Sequence, residues 1–232
     1  MKNLMRGLQL LGLLVLVSCS SIKSSPPTYD VQRFEEDIEA FEAKDASARY
    51  LPGTVLFTGS SSIRFWNGLD EDMGDIPCIN RGFGGSTLPE VNLYYDRIIT
   101  KFDPSVIVLY CGENDIAAGR PPRDVIKDYR AFVKMTKSKL PGARIIYLSM
   151  KPSPSRWHLW DQYKKGNTAI QKITKRDKDQ YYIDVSKVML QPNGEPVSAI
   201  FIEDMLHMNR SGYEGWQSII QPVVQSIYNM NN

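Results

Sequence analysis

Hydrophobic residues along this 232-residue chain follow two patterns, short continuous runs and longer segments with helical spacing. The continuous runs occupy residues 54–58, 76–80, 105–110, 143–150 and 180–184. Runs such as Val-Ile-Val-Leu-Tyr are typical of strands buried on both faces of a sheet. The segments with helical spacing between them are residues 88–102, 124–140 and 161–178. Strands that alternate with helices predict an α/β domain, in which helices cover both faces of a parallel sheet.

Two further helices are predicted near the ends of this domain. The first has apolar residues at i, i+4 and i+7, namely Phe34, Ile38 and Phe41. The last has one apolar face, formed by Trp216, Ile220, Val223 and Ile227. Pro222 lies within the last helix, and we expect it to bend or interrupt that helix because proline removes a backbone hydrogen bond.

The first 30 residues have a pattern of their own. Lys2 and Arg6 precede an apolar run over residues 8–17. That run is shorter than the roughly 20 apolar residues of a bilayer-spanning helix and has the dimensions of a signal peptide. It ends in Leu-Val-Ser-Cys, which resembles the lipobox of bacterial lipoproteins and implies cleavage before Cys19 and acylation of its thiol. The alternative is an ordinary secretory signal with a chance cysteine near the cleavage point.

This processing predicts the domain organisation and the location of the protein. We expect a signal peptide over residues 1–18, a lipidated Cys19 with a Ser- and Pro-rich tether over residues 19–30, and one folded domain over residues 31–232. Acyl chains on Cys19 would attach the domain to a membrane of the bacterial cell envelope. Ser20 is compatible with sorting to an outer membrane, so we expect the outer membrane or the periplasmic face.

Charge and cysteine content exclude several classes of protein. Of 28 Lys and Arg residues, two belong to the predicted signal peptide, and the others balance the 26 Asp and Glu residues. No basic stripe is present, so we expect no nucleic-acid partner. The two histidines and three cysteines lack zinc-ligand spacing, so we expect no metal. Cys78 and Cys111 fall at the ends of strands that are not neighbours in the predicted sheet, and we expect two free thiols.

Residues suited to catalysis follow several of the predicted strands, at the edge where parallel sheets bind ligands. The segments are Gly-Ser-Ser-Ser-Ile at 59–63, Gly-Phe-Gly-Gly-Ser at 82–86, Gly-Glu-Asn-Asp at 112–115 and Asp-Met-Leu-His at 204–207. Each segment alone is ordinary: a helix N-cap, a tight turn, an Asx turn or a structural histidine. Together at one end of a sheet, they supply the parts of an acyl-transfer site.

The chemistry of acyl transfer assigns a part to each segment. A serine hydroxyl is a weak nucleophile near neutral pH and needs an adjacent base. His207 suits that role, and Asp204, three residues earlier, can orient the imidazole. Backbone N–H groups at a helix start and in a glycine loop, together with an asparagine amide, would stabilise a tetrahedral oxyanion. The sequence therefore predicts serine-based acyl transfer.

In order and spacing, the four segments resemble the SGNH (GDSL-type) hydrolases, most of all the catalytic subunits of platelet-activating-factor acetylhydrolase and related bacterial acylesterases. The resemblance runs from about Phe34 to the C-terminus. It implies a three-layer αβα sandwich of flavodoxin-like type with a five-stranded parallel sheet. It also implies that Ser61 is the nucleophile, His207 the general base and then acid, and Asp204 the residue that orients it. The N–H groups of Ser61 and Gly85 and the amide of Asn114 would form the oxyanion hole, without any cofactor.

The sequence leaves alternatives for the identity of the nucleophilic serine and for the fold. The family's Gly-Asp-Ser-Leu block has Ser60 here in place of Asp, which leaves Ser60 and Ser62 as rivals of Ser61, although the register with Gly59 favours Ser61. An α/β-hydrolase is the nearest competing fold and needs Gly-x-Ser-x-Gly around its nucleophile. Ile63 occupies the position of the second glycine, so that motif is absent.

The substrate is predicted only by class. Trp157 and Trp160 follow the fourth strand and are candidates for a pocket wall that stacks on a sugar ring, with ordinary core packing as the alternative. The favoured hypothesis is hydrolysis of short-chain esters, in particular the removal of acetyl groups from small molecules or from extracytoplasmic glycans. The alternatives are a lysophospholipase or thioesterase acting on longer acyl chains, and a non-catalytic glycan-binding lipoprotein. The oligomeric state is not specified by these patterns.

Overall fold

A five-stranded parallel sheet forms the centre of the protein. A computed structural model of the chain describes residues 32–230, so the predicted signal peptide, Cys19 and the tether lie outside the described residues. The strand order is β2-β1-β3-β4-β5, and every pairing is parallel. The strands are β1 Val55–Gly59, β2 Cys78–Gly82, β3 Val106–Tyr110, β4 Arg144–Leu148 and β5 Gln180–Ile183. Each begins and ends within two residues of its predicted run.

Helices connect these strands and cover both faces of the sheet. Over residues 32–230 the α-helices are α1 Glu35–Asp45, α2 Ser61–Arg64, α3 Leu69–Met73, α4 Leu88–Leu93, α5 Tyr95–Ile98, α6 Glu113–Ala117, α7 Pro122–Lys139, α8 Trp160–Thr174 and α9 Arg210–Asn229. Short 3-10 helices occupy Thr100–Phe102, Pro154–Leu159, Val185–Val188 and Ser198–Ile200. The predicted α/β fold class, a three-layer αβα sandwich, is confirmed.

The hydrophobic core has two halves, one on each face of the sheet. One half joins strand residues such as Leu56 and Ile107 to helices α1, α4, α5, α7 and α8. The other joins strand residues such as Phe57 and Val108 to α2, α3 and α9. Successive strand residues point to opposite faces, so consecutive apolar positions supply both halves at once. This is why the strands read as continuous apolar runs.

One helix prediction was wrong, and one of the two effects expected of Pro222, interruption of its helix, does not occur. Residues 88–102 do not form one helix, because the chain turns at Tyr94 and again at Ile99. The backbone leaves helical geometry at Tyr94 (φ −89°, ψ 7°) and at Ile99 (φ −128°, ψ −59°), although the buried side chains on either side of each turn still share one helical face. Pro222 does not interrupt α9, which continues through it. Pro222 is exposed, so the carbonyl that loses its partner faces water.

Two further observations concern the state of the cysteines and the apolar character of the helices. Cys78 and Cys111 are both free, and β1 lies between their strands. Within the described residues, no helix combines the length and the apolar character needed to cross a membrane.

Candidate active site

The turn between β1 and α2 presents Ser61. Gly59 ends the strand with a φ of 121°, and a Cβ at this position would lie 1.9 Å from the carbonyl oxygen of Tyr110. Glycine alone adopts this conformation without strain. Ser60 is extended and donates its N–H to the same Tyr110 oxygen at 3.0 Å. Ser61 is therefore the first residue of α2, where a backbone N–H has no partner within the helix.

Ser61, His207 and Asp204 form a continuous chain of contacts. The Ser61 Oγ lies 2.9 Å from His207 Nε2, and His207 Nδ1 lies 2.5 Å from Asp204 Oδ2. Asp204 Oδ1 accepts the N–H groups of Leu206 at 2.8 Å and of His207 at 2.9 Å. Burial raises the pKa of Asp204, but hydrogen bonds from His207 and Leu206 outweigh it and lower the pKa to about 2. The resulting carboxylate holds a proton on Nδ1 and leaves Nε2 free to accept the serine proton.

Four contacts hold the loop that carries His207. Met205 has a φ of 54°, and its carbonyl accepts the N–H of Ser155 at 3.1 Å and the hydroxyl at 3.0 Å. The His207 carbonyl accepts the N–H of Ile202 at 2.9 Å. The Phe65 ring packs edge-to-face on the imidazole, with ring centroids 5.1 Å apart. These contacts fix the position of the imidazole from both sides of the loop.

The glycine-rich loop after β2 brings Gly85 beside Asn114. Gly84 has a φ of 40°, and a Cβ there would lie 2.0 Å from the Phe34 ring, so the loop needs glycine at this position. A Cβ on Gly85 would lie 3.7 Å from Asn114 Nδ2. Asn114 Nδ2 donates one of its two N–H groups to the Ser86 carbonyl at 3.1 Å. The structure thus brings together the two residues that sequence reasoning selected as oxyanion donors besides Ser61.

The three consecutive serines have different environments. Ser60 and Ser62 are both buried. The side chain of Ser62 is hydrogen-bonded to Tyr110, and its carbonyl accepts the hydroxyl of Tyr213 at 3.0 Å. Of the three hydroxyls, that of Ser61 contacts His207.

A buried charge cluster lies next to Asn114, and sequence reasoning missed it. Glu113 and Lys151 are 4% and 1% exposed, and Lys151 Nζ lies 2.9 Å from Glu113 Oε2. The Tyr110 hydroxyl donates to the same carboxylate. Arg156 Nη1 donates to Glu113 Oε1 at 3.1 Å and to Asn114 Oδ1 at 2.9 Å. The cluster therefore contains one carboxylate and two cations, and one cation contacts a predicted oxyanion donor.

Pairing keeps Glu113 ionised in spite of its burial. Burial raises the pKa of Glu113, but the charges of Lys151 and Arg156 and the hydrogen bond from Tyr110 outweigh it and lower the pKa. Burial also lowers the pKa of Lys151, and the Glu113 carboxylate opposes that shift. The sequence did hold a signal, because each residue comes three positions after the end of a largely apolar strand. Charged residues in such places are rarely buried unless they are paired.

The two tryptophans after β4 pack on each other. Their rings are stacked with centroids 5.9 Å apart and planes at 18°. Trp160 is buried in the core, and Trp157 is half-buried against the same core. Trp157 therefore has the larger free surface of the two, and a sugar-stacking role for this pair stays a prediction.

Histidine and carboxylate side chains elsewhere do not add a second centre. His158 is exposed in the 3-10 helix Pro154–Leu159, so His207 supplies the imidazole at the site. Over residues 32–230, no group of three or more His, Cys, Asp or Glu side chains is placed to hold a metal ion.

Solved structures share this fold. A protein from Streptococcus pneumoniae described as a platelet activating factor has a TM-score of 0.73 and 17% identity, over 84% of this chain and 94% of that protein. An acylhydrolase from Bacteroides fragilis has a TM-score of 0.70 and 19% identity, over 88% and 98% of the two chains. A family 3 carbohydrate esterase from Clostridium thermocellum has a TM-score of 0.62 and 15% identity, over 78% and 98%.

Comparison of the sequence with protein-family models gives the same assignment as the comparison of structures. No curated protein matches the chain. The family model described as GDSL-like Lipase/Acylhydrolase matches residues 26–214, which include all four segments of the candidate site. This chain belongs to the GDSL-like lipase/acylhydrolase family and is a carboxylic ester hydrolase.

Proposed function

We propose that the protein is a serine esterase that removes short acyl groups, acetyl groups above all, with Ser61 as nucleophile. One observation carries this proposal, the unbroken contact from Ser61 Oγ through the His207 ring to Asp204, at 2.9 and 2.5 Å. A hydroxyl, an imidazole and a carboxylate in that order are the parts that activate serine in hydrolases of unrelated folds.

The proposed reaction has two steps that use the same residues. His207 Nε2 takes the proton of Ser61 as its Oγ attacks the ester carbonyl. The N–H groups of Ser61 and Gly85 and the Asn114 amide stabilise the oxyanion. His207 then protonates the leaving alcohol. Water, activated by the same imidazole, hydrolyses the acyl-enzyme and restores the serine.

The support for short acyl groups comes from proteins of the same fold. A long acyl chain would need an extended apolar groove beginning at Ser61. Among proteins of this fold are an acetyl esterase solved with acetate and a carbohydrate esterase. The first supports acetyl esters as substrates, and the second supports esters of carbohydrates.

A chain-length series with the full-length protein in detergent tests the proposal. We expect rapid cleavage of p-nitrophenyl acetate and a steep fall toward p-nitrophenyl decanoate. Ser61→Ala should lower kcat by about 10⁴-fold or more. Ser60→Ala is the matched control, because Ser60 is adjacent and buried but does not face His207. Wild-type activity in Ser61→Ala would refute the proposed nucleophile.

One observation favours longer acyl chains as a second candidate function. Phe65, Ile202 and Met205 are 44%, 47% and 40% exposed, although large apolar side chains are usually buried. Phe65 contacts the His207 ring, and the other two lie in the loop before it. Together they give the site an apolar rim. Activity that rises with chain length and falls again in Phe65→Ala would favour a lysophospholipase or thioesterase.

We also propose that the domain is anchored to the cell envelope through an acylated Cys19. The support is the sequence alone, a basic start, an apolar run over residues 8–17 and Leu-Val-Ser-Cys at its end. Radiolabelled palmitate should enter the wild-type protein in cells but not a Cys19→Ala variant. A freely secreted, unlabelled wild-type protein would refute the anchor.

A further inference from the structure

Arg156 makes a contact that the triad and the oxyanion donors do not explain. Its Nη1 donates to Asn114 Oδ1 at 2.9 Å, and it bridges from there to Glu113 Oε1 at 3.1 Å. The Arg156 side chain is 22% exposed, so most of it is withdrawn from solvent. A guanidinium has only donors, and it therefore specifies which end of the Asn114 amide faces it.

We propose that Arg156 is a positioning residue that holds and polarises the Asn114 amide so that one Nδ2–H points at the oxyanion. This inference rests on the proposed esterase function. With Oδ1 bound by Arg156 and one Nδ2–H bound by the Ser86 carbonyl at 3.1 Å, the second Nδ2–H is the remaining donor of the amide. A flipped amide would place N–H against the guanidinium and a carbonyl against the Ser86 carbonyl.

The guanidinium has a second effect on the amide beyond orientation. A cation bound to the amide oxygen draws electron density from the nitrogen, so the free Nδ2–H becomes a stronger donor. Hydrogen bonds that involve a charged partner are shorter and stronger than neutral ones. Donors fixed before the reaction stabilise the transition state without reorganisation.

Glu113 and Lys151 hold Arg156 in the place where it can do this. Glu113 is adjacent to Asn114 on α6 and is bound by Lys151 at 2.9 Å and by Tyr110. Its second carboxylate oxygen faces Arg156. Of the two cations in the cluster, Arg156 is the one that also contacts Asn114, so its charge lies beside the predicted oxyanion donor.

A double-mutant cycle separates positioning from a purely structural role. We expect Arg156→Gln to lower kcat on p-nitrophenyl acetate by about 10- to 100-fold, less than the roughly 10²- to 10³-fold measured for complete loss of one oxyanion donor, with KM changed less than 3-fold. In an Asn114→Ala background the same substitution should change kcat less than 2-fold, because the amide through which it acts is gone. Equal losses in both backgrounds would overturn the proposal.

Arg120→Gln is the matched control on the other side of Asn114. Arg120 pairs with Asp115, the next residue after Asn114 and one that is fully buried, and also with Asp128 at 2.5 Å. We expect this variant to melt at a lower temperature but to keep kcat within 2-fold. Arg156→Lys keeps a cation beside Glu113, and it should fold as wild type with an intermediate kcat. A kcat loss in Arg120→Gln as large as in Arg156→Gln would also contradict the proposal.

The side-chain NMR signal of Asn114 distinguishes this inference from the proposed function. In protein labelled with ¹⁵N-asparagine, the Asn114 NH₂ pair is identified by its absence in Asn114→Ala. We expect its two protons to be well separated and slow to exchange in the wild type, and to converge in Arg156→Gln. If the wild type hydrolyses no ester but shows this change, the proposed function fails and the positioning holds. Unchanged NH₂ signals in Arg156→Gln would overturn the positioning itself.

Discussion

Replacement of Gly59 by alanine tests whether the turn before Ser61 needs glycine for the reason given above. Gly59 has a φ of 121°, and the new Cβ would lie 1.9 Å from the Tyr110 carbonyl oxygen and 2.7 Å from its carbon. Both atoms belong to the backbone of β3, which pairs directly with β1. No rotation of a side chain can relieve the contact, so the two central strands would have to separate at their ends.

The expected cost has two parts. Holding a non-glycine residue in this backbone region costs about 1 to 3 kcal/mol. Forcing an extra methyl into a packed site costs about another 1 to 3 kcal/mol. The sum, about 2 to 6 kcal/mol, is a large share of the 5 to 15 kcal/mol by which domains are typically stable. With a urea m-value of about 2 kcal/mol/M, the unfolding midpoint should fall by about 1 to 3 M.

Gly53→Ala is the control for the conformational part alone. Gly53 also has a positive φ, 81°, but a Cβ there would have no atom within 4 Å. Its urea midpoint should fall by about 0.5 to 1.5 M, from the same backbone term of about 1 to 3 kcal/mol. Folded Gly59→Ala should also lose esterase turnover, because Ser60 donates to the same Tyr110 oxygen. Equal urea midpoints for the two variants would refute the steric argument.

Three further predictions concern individual side chains. Asp204→Asn should lower kcat by about 10³- to 10⁴-fold. Because hydrogen bonds hold the pKa of Asp204 at about 2, a plot of wild-type kcat/KM against pH should show no inflection from Asp204 between pH 3 and 5. An inflection in that range that vanishes in the variant would contradict this prediction. Burial raises the pKa of Asp115 to about 6 despite its contacts with Leu88 and Arg120, so the folded state keeps a proton that the unfolded chain releases near pH 4. The stability that this proton contributes is complete below pH 4 and is lost as the pH rises through 6. The melting temperature of the wild type should therefore fall relative to that of Asp115→Asn between pH 4 and 6. A difference between the two melting temperatures that does not change with pH would contradict the raised pKa. Trp66→Phe removes the hydrogen bond from Nε1 to the buried Asp72 carboxylate at 2.6 Å and should cost about 1.5 to 3 kcal/mol in urea unfolding, whereas an unchanged midpoint would show that Asp72 finds another donor.

The sheet was predictable because its strands are buried on both faces. Consecutive apolar residues can be buried together only where both faces are covered, and this placed all five strands to within two residues. The helices are less regular than the spacing of their apolar residues predicts. Residues 88–102 divide at Tyr94, although the buried side chains before and after that turn still lie on one helical face. Apolar spacing reports which residues are buried, and says little about where the axis turns.

The contacts of the triad are easier to predict from the sequence than those of the charge cluster. Asp204 and His207 are three residues apart in one loop, so their contact follows from local spacing. Arg156 and Asn114 are 42 residues apart, and Arg156 lies in an irregular 3-10 segment. No periodicity predicts where the tip of a long side chain reaches from such a segment. What the sequence offered was Glu113 and Lys151, two charges close to buried strands and in need of partners.

The two halves of the site are held by different kinds of structure. The N–H of Ser60 binds the Tyr110 carbonyl and the N–H of Phe83 binds the Gly59 carbonyl, each at 3.0 Å. These bonds extend the pairing of β1 with β3 and with β2 by one residue, so the nucleophile and the glycine loop move only when the sheet does. Asp204 and His207 lie in a loop, and their side chains are 43% and 22% exposed. Exposed loops open at lower free energy than central strands. Mild heat or denaturant should therefore remove the base from Ser61 before the fold is lost, while the oxyanion donors stay in place.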